Sequence, residues 1–185
     1  MIIQPIEFTL KDGRTTIIRS AQEEDIPSLL EYLYISAGET EFLLRYPEEC
    51  SKYTPEGERA FIERTNAADN EAMLVCLVEG RLVGNCQIVW TKGIKTRHRA
   101  TVAIAILKDY WGLGIGTRLF EELIRIGEAN ENILQFELDF IEGNSRARAL
   151  YEKMGFRICG VKPDAIRLKD GTFLNEYSMV RKVVR

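Results

Sequence analysis

The sequence predicts an α/β domain with a mixed sheet, and three observations predict it. Two apolar runs, AMLVCLVEG and RLVGNCQIVW, meet at Glu79 and Gly80 in the pattern of an antiparallel hairpin closed by a tight turn. A third run, ATVAIAILK, leads directly into the glycine-rich stretch YWGLGIGTRL. Beyond it, Leu119, Phe120, Leu123, Ile124 and Ile126 fall at helical spacing within 117–130, and ILQFELDF at 133–140 alternates as a strand does.

The remaining elements follow in order. The β-branched TTIIR at 15–19 reads as the first strand. Asp25 with Pro27 two residues later opens a helix carrying Leu29, Leu30, Leu33 and Tyr34. Thr54 before Pro55 repeats the start signal, as N-cap and first helical position, with Phe61 and Ile62 on the inward face. The acidic segment GETEFLLRYPEE lies between these helices as an irregular loop. Near the C-terminus, Asn144 caps a short helix with Ala147, Leu150, Tyr151 and Met154, which stops at Gly155. Strands at 156–161 and 177–184 close the fold around the turn KDGTF.

The 185 residues, 45% of them hydrophobic, suffice for one sizeable core, and no linker or repeat divides them, so residues 1–185 are expected to form a single domain. A net charge of −3 with scattered basic residues argues against nucleic-acid binding. No apolar run approaches the roughly 20 residues of a membrane span, and the N-terminus lacks signal-peptide character, so a cytoplasmic location is expected. Cys50, Cys76, Cys86 and Cys159 lie far apart without a CxxC pair, which suggests reduced thiols and no metal site.

What the glycines hold is the functional question. A P-loop requires a lysine that GLGIG lacks. A dinucleotide fingerprint requires a third glycine where Thr117 stands. An anion-binding turn at a helix start remains, since unpaired amides and the helix dipole favour a phosphate there, beside the plainer reading of a glycine-rich turn with no ligand.

A second stretch, NSRARALYEKMGF at 144–156, together with AILKDYWGLGIGTRL, closely resembles the GNAT N-acetyltransferase superfamily. The family's acetyl-CoA signature, Gln or Arg then xxGxG or xxGxA, is similar to 111–116, with Gly114 and Gly116 in place and Trp111 at the first position. Its second motif is met at Asn144, Ala147, Leu150, Tyr151, Glu152, Lys153, Gly155 and Phe156.

The resemblance implies a GNAT fold, with a mixed central sheet of about seven strands flanked by about four helices and splayed between its two central parallel strands. It implies acetyl-CoA as cosubstrate, its pantetheine arm along Ile104, Ile106 and Leu107. The diphosphate would rest on the amides of Leu113, Gly114, Ile115, Gly116 and Thr117, with Trp111, Gly112 and Arg118 beside it and Asn144 and Ala147 completing the cofactor site.

The implied reaction is direct attack of an amine on the thioester, with Tyr151 as the acid that protonates the departing thiolate. Where many relatives carry a glutamate base this sequence has Thr101, which leaves Glu137, Asp139, His98 or ordered water to take the amine's proton. Glu39, Glu41, Glu48 and Glu49 border the region where acceptors enter in this fold, and their charge suggests a cationic small-molecule or peptide amine. An acyl-CoA sensor that transfers nothing is the rival reading. Dimers are frequent in the family, so a homodimer is a further expectation, without an interface that the sequence specifies.

Overall fold

The computed structural model describes residues 1–184. An eight-stranded sheet forms its centre, with strands in the order β1-β2-β3-β4-β5-β6-β8-β7. The strands are β1 (Ile6–Thr9), β2 (Thr15–Ser20), β3 (Glu71–Val78), β4 (Arg81–Trp90), β5 (Arg99–Ile106), β6 (Gln135–Ile141), β7 (Arg157–Arg167) and β8 (Phe173–Lys182). Four α-helices accompany them: α1 (Ile26–Gly38), α2 (Pro55–Ala67), α3 (Ile115–Glu128) and α4 (Ser145–Lys153). All neighbours pair antiparallel except β5 and β6.

One strand more than expected is present, because Ile6–Thr9 pairs with β2 at the edge of the sheet. The β3–β4 hairpin turns at Glu79 and Gly80, both at positive φ, as a two-residue turn matched to strand twist requires. The stretch within the acidic loop is not wholly irregular, since Pro47–Lys52 winds into a 3-10 helix.

Side chains alternate across the sheet, which separates its two layers. On one face, the Tyr32 hydroxyl of α1 donates to Asn85 Oδ1 and the Ala105 carbonyl, both at 2.9 Å. On the other, Gly127 of α3 lies so close to Phe136 that a Cβ added there would sit 2.4 Å from its ring and 3.1 Å from Ile88. Helices α1 and α2 therefore cover one face and α3 and α4 the other. With both faces covered, β3 is buried along nearly its whole length.

The starts of α2 and α4 obey the sequence, and that of α1 does not. Thr54 Oγ1 accepts from the Gly57 N–H at 3.1 Å and Asn144 Oδ1 from the Ala147 N–H at 3.2 Å, so both cap as expected. Asp25 is instead drawn to Arg19, whose guanidinium donates to both its oxygens at 2.6 and 2.8 Å, and it accepts from the Gln22 N–H at 2.8 Å.

Candidate active site

The parallel pair β5–β6 holds together only at Arg99/Gln135, Ala100/Phe136 and Thr101/Glu137. Past Thr101 the strands part, and β5 continues to Ile106 paired on its β4 side alone. A groove of about 850 Å³ occupies the gap, with Ala103, Ile104 and Ile106 on one wall and Asp139, Phe140 and Tyr151 on the other. The expected splay is thus present.

Backbone alternation decides what β5 offers this groove. The Leu107 N–H donates to the Val83 carbonyl at 2.8 Å, which fixes the phase of the antiparallel ladder. Ile104 and Ile106 therefore turn their backbone groups away from β4 and toward the gap. Leu107 does not, and its carbonyl is taken by the Tyr110 N–H at 3.0 Å while its side chain is buried. The Ile106 carbonyl already has a partner in the Trp111 indole N–H at 2.7 Å. The Trp111 ring in turn lies under the Arg146 guanidinium, 5.1 Å away.

The glycine loop turns where only glycine turns easily. Gly112 and Gly114 have φ of 79° and 99°, and a Cβ on either would meet nothing within 4 Å. Both line the groove, so that open space belongs to it. Gly114 is the N-cap of α3, which begins at Ile115, two residues before the expected helix start. The first helical bond runs from the Arg118 N–H to the Gly114 carbonyl at 3.1 Å. Among the described residues, the N–H groups of Gly112, Leu113, Gly114, Ile115, Gly116 and Thr117 find no acceptor.

Gly116 serves a different purpose. A Cβ there would lie 2.9 Å from Leu150 Cδ2 and 3.5 Å from Ile106 Cδ1, so this glycine lets α3, α4 and β5 converge. The side chain of Ile115 is buried in the core, and Leu113 packs half-buried against it. The Thr117 hydroxyl accepts from Lys153 Nζ at 3.1 Å. Arg118 turns away from the groove to pair with Glu121 at 3.2 Å, whereas Arg146 and Lys153 line it. Sequence reasoning missed both, although Lys153 stands inside the LYEKMGF motif that it used.

Asn144 and Ala147 bring the start of α4 to the groove wall. Tyr151, one turn further on, is only 7% exposed and sits edge-on to Phe120 and Phe140, at centroid distances of 5.4 and 6.1 Å. Its hydroxyl has no partner among the described residues, and burial pushes its pKa up to about 12.

The proposed bases fare unequally. Desolvation would raise the Glu137 carboxyl, but hydrogen bonds and charge from Arg99 and Gln135 outweigh it and hold the group below its ordinary value. Arg99 grips Glu137 through two bonds of 2.6 and 2.5 Å, outside the groove. His98 stands at the far end of β5, where its carbonyl receives the Leu134 N–H at 2.9 Å and the Gln135 N–H at 3.1 Å. Only Asp139 among the three lines the groove.

Much of the acidic loop is structural. Glu39 accepts from the Lys108 N–H at 2.7 Å, Glu49 from the Tyr46 N–H at 2.8 Å, and Glu48 pairs with Lys169. Among the described residues, no cluster suited to a metal ion occurs and no helix is long and apolar enough to cross a membrane.

A family model described as the acetyltransferase (GNAT) family matches residues 39–156. The structure resembles an acetyltransferase of the GNAT family from Streptococcus pneumoniae with a TM-score of 0.85 and 27% identity, over 91% of this chain and 99% of that one. It resembles a ribosomal-protein-alanine N-acetyltransferase from Brucella melitensis with a TM-score of 0.75 and 26% identity, over 90% and 99% of the two chains. yncA from Salmonella typhimurium, solved with its cofactor acetyl-CoA, shares the fold at 18% identity, with a TM-score of 0.73 over 92% and 95%.

Proposed function

The chain belongs to the acetyltransferase (GNAT) family, and from that premise we propose that it moves the acetyl group of acetyl-CoA to a primary amine of a small molecule or peptide by direct attack. The observation that carries this reading is the open edge of β5 at Ile104 and Ile106, with unpaired loop amides at one end and an unpartnered Tyr151 hydroxyl near the other. Acetyl-CoA supplies an activated acyl thioester to this groove.

The chain's own groups divide the work. Free backbone groups of Ile104 and the Ile106 N–H extend the sheet to the pantetheine amides, and the N–H groups of 112–117 receive the diphosphate at the dipole end of α3. The absence of side chains at Gly112 and Gly114 leaves room for it, and Lys153 and Arg146 supply positive charge. Asn144 and Ala147 shape the adjoining wall from α4. Tyr151, held neutral by the burial that raises its pKa, donates its proton to the departing thiolate. Residues 1–185 act as one unit, in the cytoplasm, where four free cysteines stay reduced.

The test is titration calorimetry with acetyl-CoA, followed on the same sample by thiol release against primary amines. Binding with release supports transfer. Binding without release favours an acyl-CoA sensor, and no binding overturns the assignment of the groove.

A further inference from the structure

We infer that the acceptor is a small amine with an apolar body, admitted beneath a strap formed by residues 39–48, and that Lys169 latches this strap against the entry of a peptide or protein chain. This rests on the transferase reading above and narrows its acceptor.

The strap crosses the sheet where the gap is widest. Strands β5 and β6 run parallel and part beyond Thr101, so their C-terminal ends bound the opening. Strand β7 ends and β8 begins at the same end of the sheet, since Arg167 lies opposite Phe173 and Glu176 opposite Ile141. From the end of α1 the chain is anchored at each of these points in turn. Glu39 accepts from the Lys108 N–H at 2.7 Å, just past β5. The Phe42 ring covers Gly143, just past β6, where an added Cβ would lie 3.5 Å from it. The Tyr46 hydroxyl accepts from the Lys169 N–H at 3.3 Å, in the turn between β7 and β8. The Lys169 ammonium stands 4.1 Å from the centre of the Tyr46 ring and pairs with Glu48. Behind these anchors the strap is tied back to α1, where Arg45 donates to Ser36 Oγ at 2.9 Å and Pro47 lies against Gly38.

This path limits what enters. Tyr151 on α4 and the loop amides at the start of α3 occupy one side of the gap, so the acceptor's route is the α1 side, beneath the strap. An extended peptide laid past the end of β6 would have to pass where Phe42 meets Gly143, and further on where Tyr46 meets Lys169. A compact amine avoids both contacts.

The strap also offers the acceptor an apolar wall. Phe42, Leu43 and Leu44 line the groove, and Leu44, 70% exposed, stands at its mouth. Ala103 and Ala105 of β5 line the same groove with side chains small enough to leave room for a ring or a branched chain. The carboxylates of Glu39, Glu48 and Glu49 are spent on the Lys108 N–H, Lys169 and the Tyr46 N–H, and so hold the strap in place. An apolar amine gains by leaving water for this wall, and a polyamine does not. The latch itself suits a gate, because an exposed ion pair is weak by itself and the stacked ring returns Lys169 to one place.

The experiment uses the full chain with acetyl-CoA and reads thiol release with 2-phenylethylamine, spermidine and a soluble hexapeptide amide beginning with alanine. For the native protein, kcat/KM with 2-phenylethylamine should exceed that with the other two by about 100-fold. Lys169→Ala should shrink the margin over the hexapeptide about tenfold, with acetyl-CoA affinity and melting temperature unchanged, and Lys169→Arg, which keeps the cation, should hold it. Phe42→Ala should raise KM for 2-phenylethylamine with kcat little changed. Equal use of spermidine or the hexapeptide by the native protein, a margin that Lys169→Ala leaves intact, or a KM that Phe42→Ala leaves unchanged would overturn the inference and leave the transferase reading standing. Release with none of the three would overturn that reading, and this one with it.

Discussion

The indole N–H of Trp111 donates to the carbonyl of Ile106 at 2.7 Å, tying the head of the glycine loop to the last residue of β5. A glutamine or arginine is the family's usual residue at this position, whereas here a rigid bicyclic ring spans loop and strand and carries Arg146 on its face. The bond holds the end of the open edge in place before any ligand arrives.

Trp111→Phe keeps an aromatic ring, though a smaller one, and removes the donor. It should cost about 1 kcal/mol of stability and weaken acetyl-CoA binding severalfold, because the loop loses its tether. Thermal melting and calorimetry check the two effects.

Gly114 and Gly116 should separate ligand from fold. Gly114→Ala places a Cβ in open groove at φ of 99°, so it should weaken acetyl-CoA binding at least tenfold, with about 1–2 kcal/mol of backbone strain. Gly116→Val drives into Leu150 and Ile106 and should destabilise the fold by about 1–3 kcal/mol. Denaturant melts and binding isotherms on the two variants decide it; equal effects on both measurements would remove the distinction.

Tyr151→Phe should lower turnover by about 100-fold while leaving acetyl-CoA affinity and stability nearly unchanged, since the hydroxyl bonds to no other described residue. Steady-state kinetics and melting of the same preparation give the answer. A fully active variant would remove Tyr151 from the chemistry.

Alkali should unfold this protein through its buried neutral acids. Burial raises the pKa of Tyr151 to about 12, and likewise that of Cys76 to about 12, with Cys86 and Tyr32 shifted in the same direction. Each folded group holds its proton more tightly than the unfolded chain does. Their contribution is therefore complete below the unfolded values, near 8.5 for the thiols and 10 for the phenols, and is lost as pH rises toward 12. Urea midpoints at pH 8, 10 and 11 should fall in that order, and Tyr151→Phe should flatten the upper part of the curve.

Gly127→Ala puts a methyl group 2.4 Å from the Phe136 ring and should cost about 2 kcal/mol. Phe136→Leu in the same chain should return part of it, so a double-mutant cycle would show strong coupling. Additive losses would mean that α3 accommodates the methyl group by moving.

The sequence made the central elements legible because their patterns are long and doubly buried, as in β3, β4 and the amphipathic α3. It hid β1, whose Ile6–Thr9 is short and half-exposed and gains strand character only from pairing with β2. The sequence places the start of α3 at Thr117, because the side-chain periodicity begins there while the true cap, Gly114, has no side chain to announce itself. Proximity along the chain points to Arg118 as the cation beside the glycine loop; its place on α3 turns it to Glu121, and Lys153, 36 residues from Thr117, arrives through tertiary packing that no local pattern encodes. Likewise Glu137 and Asp139 look alike in ILQFELDF, and only the point at which β5 leaves β6 separates them.

The parting of β5 from β6 after Thr101 leaves this sheet unfinished, with an open edge that the proposed cosubstrate would complete. Any molecule that pairs with that edge binds the native chain and not the unfolded one, so a concentration of 100 times its Kd adds about 2.7 kcal/mol to the folding equilibrium. The lifetime of the protein against proteolysis would then follow the supply of its own cosubstrate. A cell starved of acyl thioesters would clear this chain faster than a fed one, without any dedicated regulator.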